Sequence, residues 1–234
     1  MSGGSWPRLL PAQDAYRLWA PEYDATPNPL LSLERRRLAP LLSLAGGCDV
    51  VDLGCGTGRS ILDLARVGAR SIVGVDFSQE MLERASQRLP SRVRLMQADC
   101  RRTRLPAQCC DWILASFLLS YLDDLTAFAR EVARISRPRS FVLIADIHPA
   151  TRSYGWRRTF RSSESVIEIQ THPYEISDLH FAMQRAGFSP VYCKEAGFGP
   201  EELAIFAQAG RRDLYWMVEG LPVFFAAGYQ RERA

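Results

Sequence analysis

From residue 48 onward, short runs of apolar and β-branched residues alternate with amphipathic stretches. In order they are CDVVDL, SILDLARVG, RSIVGVD, SQEMLERASQRL, SRVRLMQAD, DWILASF, LTAFAREVARIS and SFVLIAD. Five strands with intervening helices predict an α/β chain with a parallel, doubly wound sheet. Ser78 with Glu80 close behind marks a helix start, and Pro90 and Pro138 follow two helix ends. The period of about 24 residues suits βα units rather than a repeat array.

The flanks differ from this core. Upstream, NPLLSLERRRLAPLLSLAGG reads as a helix with Leu30, Leu31, Leu33 and Leu38 on its apolar side, bent or ended near Pro40 and stopped by Gly46 and Gly47. After the fifth strand, HPATRSYGWRRTFRSSESVIEIQTHPY is too long for a tight connection and is rich in aromatic and basic residues, as expected of a lid over a site. A helix at about 175 to 187, the strand SPVYCKE, the helical piece GPEELAIFAQAG and the strand LPVFFAAGY follow. The last two strands suggest an antiparallel pair at one sheet edge. The expected organisation is one domain over 1–234: a helical cap at 1–45, a ligand-binding core at 46–148, the lid at 149–174, and a C-terminal helix and strand pair at 175–234.

At 234 residues and 47% apolar content, one substantial core is the default. With 29 basic against 26 acidic residues, the net charge of +3 gives no reason to expect nucleic acid as partner. Arginines cluster at 35–37, 101–104 and 157–161, the first group fitting the solvated face of a helix. No run approaches the roughly 18 apolar residues of a membrane span. The start, MSGGSWPRLL, lacks a charged region followed by an apolar one, so a cytoplasmic protein without membrane attachment is expected. The cysteines at 48, 55, 100, 109, 110 and 193 show neither a CxxC pair nor metal-ligand spacing, which predicts free thiols and no metal.

The stretch VVDLGCGTGRS, residues 50–60, places three alternate glycines behind an apolar run. A turn of this kind between strand and helix offers bare backbone N–H groups to a ligand. A dinucleotide turn would read GxGxxG, yet the third glycine is Gly58 and the position that motif needs is Arg59. Asp52, two residues before Gly54, would repel a pyrophosphate. No Gly-Lys-Ser/Thr follows, which excludes a P-loop. A phosphate-free, partly cationic nucleoside fits better.

On these residues the chain resembles the class I S-adenosylmethionine-dependent methyltransferases, whose first motif, acid-x-Gly-x-Gly-x-Gly, is matched by Asp52, Gly54, Gly56 and Gly58 around Cys55. By that resemblance Asp76, in GVDFS, accepts the ribose hydroxyls and Phe77 packs on adenine. Asp99, in MQADC, accepts the adenine amino group, with the Cys100 N–H available to the ring. The resemblance covers residues 12–148 and implies S-adenosylmethionine as cofactor. The fold it implies is a Rossmann-like seven-stranded sheet, mostly parallel with an antiparallel edge strand, carrying the cap and the lid insertion. The segment LWAPEYDATPNPLL looks like the leader of small-molecule methyltransferases of the ubiquinone-biosynthesis type (methyltransferase type 11). It implies Tyr23 as a cofactor lid and Tyr16 or Arg17 as a contact to the methionine carboxylate; the alternative is that these aromatics pack the cap helix.

Methyl transfer from a sulfonium is an in-line displacement, so alignment and exclusion of water matter most, and a base is needed where the acceptor must lose a proton. His148, at the end of the fifth strand in ADIHPA, is the leading base, its alternative being a turn histidine bonded to backbone. His172 is the second candidate. His180 shares a helix face with Ile176 and Met183 and reads as packing, and Asp111 reads as part of a turn. Family members that methylate planar amino nitrogens carry an Asn/Asp/Ser-Pro-Pro-aromatic box after strand four; here ASFLLSYLDD stands in its place, which points to oxygen or carbon. Ser116, Phe117 and Tyr121 are expected to line the pocket, Ser116 on the cofactor side. Trp156, Phe160, Tyr174, Trp216 and Phe224 are candidate aromatic walls. A small aromatic or polyketide-like acceptor is the leading reading. The alternatives are an RNA or protein methyltransferase docking through the arginine-rich lid, or a non-catalytic cofactor-binding partner subunit.

Overall fold

The computed structural model describes residues 7–25, 27–162 and 165–232. Its strands are β1 (Arg8–Leu10), β2 (Asp49–Leu53), β3 (Ser71–Asp76), β4 (Arg94–Gln97), β5 (Cys110–Ser116), β6 (Ser136–Ile147), β7 (Thr159–Arg161), β8 (Val166–Ile169), β9 (Phe188–Ala196) and β10 (Phe224–Arg231). Its helices are α1 (Ala12–Trp19), α2 (Pro29–Leu42), α3 (Arg59–Arg66), α4 (Gln79–Arg88), α5 (Leu125–Ile135), α6 (Ile176–Arg185), α7 (Pro200–Gln208) and α8 (Arg212–Val218).

The seven-stranded sheet runs β4-β3-β2-β5-β6-β10-β9. Strands β2 to β6 pair in parallel, whereas β10 is antiparallel to both β6 and β9. The reversed strand therefore lies one place in from the edge. Alternation along each strand feeds two cores. Val51, Leu53, Ile113, Ala115, Val142 and Ile144 face the side covered by α5 and α6, while Val50, Trp112, Leu114 and Leu143 face the side of α2 and α3. Every parallel strand ends at the same edge, so the loops that follow β2, β3, β4, β5 and β6 converge there.

Several expectations need correction. The α2 helix starts from the Asn28 side chain, which accepts the Leu30 N–H at 2.9 Å, passes an exposed Pro40 and ends at Leu42, two residues on, followed by one tighter turn to Ala45 before Gly46. The segment at 149–174, expected as a lid, carries regular structure of its own. It forms the β7·β8 hairpin, and β8 pairs in parallel with β1 to make a separate three-stranded sheet. The N-terminal cap thus contains a strand that no local pattern announced. Trp216 lies on the surface of α8, 58% exposed, and Phe224 is buried in the core, so neither walls a cavity. Among the described residues, no helix is long and apolar enough to cross a membrane, and no group of His, Cys, Asp or Glu is placed to hold a metal ion.

The arginine run at 35–37 is not uniformly solvated. Arg36 donates to Glu202 at 2.7 Å, and Glu202, fully buried on α7, also accepts from the Ser32 hydroxyl and the Gly199 N–H. This contact clamps the C-terminal helices to α2. Asp111 joins a second network at the opposite strand ends, where Arg70 and Arg137 each bridge Asp49 and Asp111. Hydrogen bonding from Arg70, then Ser71 and Arg137, holds the Asp49 carboxyl well below its usual range. Removing the cation from a buried carboxylate leaves an uncompensated charge, so Arg36→Ala should lower unfolding free energy by about 3 kcal/mol. Arg37→Ala, one residue on and exposed, should change it by less than about 0.5 kcal/mol. Urea unfolding of the two variants checks the contrast.

Candidate functional site

At the end of β2 the chain turns through Gly54, Gly56 and Gly58, with φ of 72°, 53° and 78°. That left-handed backbone is open to glycine and costly to other residues. A Cβ on Gly58 would sit 2.7 Å from a Leu89 methyl, whereas a Cβ on Gly56 would meet nothing within 4 Å and would project into open space. Gly54 and Cys55 donate their N–H groups to the Val75 carbonyl at 2.7 and 3.1 Å, which ties the turn to β3. The Gly56 N–H donates to the Asp76 carboxylate at 2.8 Å, and the Ser78 N–H to its other oxygen at 2.9 Å. Burial raises the Asp76 carboxyl, opposed by those backbone donors. The Cys55 thiol is buried and points under the turn toward Gly74, so its side chain is packing and only its backbone faces the pocket.

The pocket above this turn is acidic. Asp52 is 3% exposed, and its carboxylate makes no hydrogen bond among the described residues. Burial pushes it well above the usual carboxylate range, Glu34 and Asp76 push it further, and Arg59 opposes them. Glu34, buried on α2, accepts from Arg59 at 2.9 Å and from the Ser116 hydroxyl. The sequence reading passed over Glu34, although it shares the apolar side of its helix with Leu30 and Leu38 at i−4 and i+4, an odd place for an unpaired acid. Met81, Phe77 and Tyr121 supply apolar walls.

A groove beside this pocket is lined by Asp76, Phe77, Asp99, Cys100 and Leu118. The structure therefore brings Asp99 and Cys100 to the same end of the sheet as Asp76. The Asp99 carboxylate, however, is engaged by its neighbour: Arg101 donates from its backbone N–H at 2.8 Å and from Nη2 at 2.6 Å, which lowers the Asp99 carboxyl. Its capacity to accept from a ligand is reduced by that pairing.

A second cavity, about 190 Å³, shares Tyr16, Tyr23 and Phe117 with the first. Phe117 holds φ of 53°, the left-handed region where a bulky residue is strained, and this turns it out of β5 to stand between the two cavities. The roof is aromatic. Trp19 stacks on Phe160 with centroids 4.8 Å apart, Tyr23 packs edge-on to Trp19 at 4.8 Å, and Tyr16 packs edge-on to Tyr121 at 5.4 Å with their hydroxyls hydrogen-bonded. Phe160 is thus behind the wall rather than in it, while Trp156 and Tyr174 line it directly. Burial raises the Tyr23 phenol to about 12, so it stays a neutral donor. Arg17 points away: it is paired with Asp14 on the outer face of α1 and reaches neither cavity.

Both candidate histidines line this cavity. The His148 Nδ1 accepts the Ala150 N–H at 3.1 Å, which places the neutral ring's proton on Nε2, buried 3.6 Å from a Glu195 oxygen. The turn-histidine alternative describes its contacts, since Nδ1 is occupied by backbone two residues on. His172 is held by its backbone N–H to the Ser120 carbonyl at 2.7 Å, and its ring makes no hydrogen bond among the described residues. His180 packs on Tyr229, Nδ1 2.7 Å from the phenol oxygen, far from either cavity. The sequence reading missed Arg158, which lies in the cavity wall against the buried Asp146 at 2.6 Å.

The donor set fits the expected cofactor. A backbone turn open where Gly56 lacks a side chain, a diacceptor at Asp76, an aromatic at Phe77 and a buried carboxylate without a partner at Asp52 suit a nucleoside carrying a positive charge. A carboxyl raised by burial stays protonated above its ordinary value of about 3.9, and a bound cation favours its ionised form. S-adenosylmethionine should therefore release a proton on binding and gain affinity as pH rises from about 4, more than S-adenosylhomocysteine does, and Asp52→Asn should flatten the dependence. Calorimetry in buffers of different ionisation heat reads the proton directly. Asp76→Ala should weaken cofactor binding by about 1.5 to 3 kcal/mol, the range for hydrogen bonds to charged groups; unchanged affinity by the same method would remove Asp76 from the site.

A family model described as a methyltransferase domain (Methyltransf_25) matches residues 50–139, the stretch from β2 into β6 that carries the glycine turn, Asp76 and Asp99. The ubiquinone/menaquinone biosynthesis C-methyltransferase of Syntrophotalea carbinolica is 34% identical over 153 residues, 60% of this chain and 64% of that protein, so the match spans a little under two thirds of that relative. The demethylmenaquinone methyltransferase of Tropheryma whipplei is 27% identical over 205 residues, 77% of this chain and 84% of that one. An S-adenosylmethionine-dependent methyltransferase from Mesorhizobium loti shares the fold at a TM-score of 0.65 and 21% identity, covering 82% of this chain and 96% of its own. With the turn, the acids at the ends of β2, β3 and β4 and the sheet order all in place, residues 50–139 form a methyltransferase domain, and the chain has the fold of the S-adenosylmethionine-dependent methyltransferases.

Proposed function

We propose that the protein transfers a methyl group from S-adenosylmethionine to an oxygen or carbon of a small aromatic or polyketide-like metabolite held in the second cavity. The observation that carries this reading is the wall of Tyr16, Tyr23 and Phe117 common to an acidic pocket and an aromatic one. The cofactor, when bound, supplies a sulfonium methyl. Asp76 would hold its ribose, Phe77 its adenine, and Asp52 with Glu34 would complement its positive charge. The roof of Tyr16, Trp19 and Tyr23 would exclude water and fix the acceptor's approach, which supplies most of what an in-line transfer needs. His172, its ring unengaged, would take the proton that a hydroxyl or an activated carbon must lose as the methyl arrives.

The relative from Syntrophotalea carbinolica, a C-methyltransferase of quinone biosynthesis by its name, favours carbon as the acceptor atom. A large nucleic acid is disfavoured by the pairing of the arginines that would have to bind it: Arg152 meets Glu175 and Arg157 meets Glu168. A non-catalytic partner subunit would have no need of a second, aromatic-walled cavity beside the cofactor.

Single-turnover transfer from labelled S-adenosylmethionine to a panel of phenols, hydroquinones and 1,3-dicarbonyl compounds tests the assignment. His172→Asn should lower turnover by roughly a hundredfold with cofactor affinity intact, and His148→Asn should act much less. Loss confined to His148→Asn would move the base to the end of β6; normal turnover in both would leave proximity as the main contribution.

A further inference from the structure

Arg158 sits in the wall of the second cavity with its side chain 19% exposed. One of its nitrogens, Nη2, makes both of its side-chain contacts, to Asp146 at 2.6 Å and to the Ser120 hydroxyl at 2.9 Å. Its Nε and Nη1 make no hydrogen bond among the described residues, so most of the guanidinium's donor capacity is uncommitted. The carbon of the guanidinium lies 5.7 Å from the Phe117 ring and 5.2 Å from the Tyr121 ring, which packs it against both aromatics. Phe117 is the wall common to both cavities and Tyr121 lines the first, so this oriented cation stands at the junction where an acceptor would meet the methyl group. Behind it, Asp146 is fully buried and held by the Ser120 and Ile147 N–H groups. The neighbouring Arg152 and Arg157 are committed to carboxylates at the rim; Arg158 has its carboxylate on the side away from the open space.

We propose that Arg158 is the specificity-determining residue of the acceptor cavity and that it binds a carboxylate of the methyl acceptor through its uncommitted Nη1, so that the acceptor is an acidic metabolite. This rests on the reading of the second cavity as the acceptor site. A hydrogen bond from a guanidinium nitrogen to a carboxylate is charge-assisted, and at a partly buried arginine it is stronger than on an open surface. Asp146 orients the guanidinium and reduces its net charge. That neutralisation makes the site selective for a well-placed anion rather than for any negative charge.

Calorimetry with 4-hydroxycinnamate and its methyl ester as probes, with and without saturating S-adenosylhomocysteine, tests the proposal. The acid should bind the wild-type protein at least tenfold more tightly than the ester. Arg158→Gln should erase that preference, Arg158→Lys should restore part of it, and Asp146→Asn, which keeps the shape and removes the competing charge, should tighten acid binding. A gain of affinity cannot come from misfolding, so the Asp146 variant keeps the test meaningful if Arg158→Gln folds poorly. Equal binding of acid and ester, a preference that survives Arg158→Gln, weaker acid binding by Asp146→Asn, or no binding of either probe would each overturn the assignment. Failure of S-adenosylhomocysteine to bind would instead strike the reading of the first pocket, with acid against ester still judging Arg158.

Discussion

The hydrogen bond from the Gly56 N–H to the Asp76 carboxylate, 2.8 Å long, joins the glycine turn to the end of the next strand. Gly56 is the residue of that turn whose missing side chain faces open space, so the bond holds bare backbone at the pocket's floor in a fixed place. It also holds Asp76 in an orientation set by backbone rather than by a ligand, because the Ser78 N–H takes the other oxygen. A site assembled in this way loses little freedom on binding, which is where preorganisation gains affinity. The parallel order of β4, β3, β2 and β5 is what brings these strand ends side by side, and two buried cores secure that order.

The second cavity depends on a different joint. Strand β1 and the β7·β8 hairpin lie more than a hundred residues apart in the chain, and their pairing brings Trp19 against Phe160. The N-terminal aromatics would otherwise have no floor to stack on, and the hairpin would have a bare edge. Only together do they close the space over His172 and Arg158.

The two cavities differ in charge as well as in shape. Glu34, Asp52 and Asp76 make the first acidic, while Arg158 gives the second an oriented cation. Such a pair would suit a transfer in which a positively charged donor becomes neutral and an electron-rich acceptor takes the methyl, since charge would be matched on both sides of the shared wall. Phe117, strained into the left-handed region, is the partition between them.

The glycine turn, Asp52, Asp76 and the five parallel strands were legible because each signal is local: alternation along a strand, glycine where φ is positive, an acid at a strand end. The same holds for the family resemblance, which those residues carry. Glu34 was readable in principle, as an acid on the apolar side of a helix. By contrast β1, β7 and β8 are three or four residues each, too short for periodicity to register, and they exist as strands because they find one another. Arg36 and Arg37 look alike in sequence and differ only because Glu202, remote in the chain, arrives beside one of them. His148 read as the leading base and His172 as the second candidate, yet the Ala150 N–H occupies the His148 ring, as the turn-histidine alternative had it, and the His172 ring makes no hydrogen bond among the described residues. Sequence by itself determined the sheet, the turn and the cofactor they imply; the tertiary structure alone decided which acid Arg36 meets and which arginine stands in the wall of the second cavity, because those choices rest on contacts between segments that local pattern does not connect.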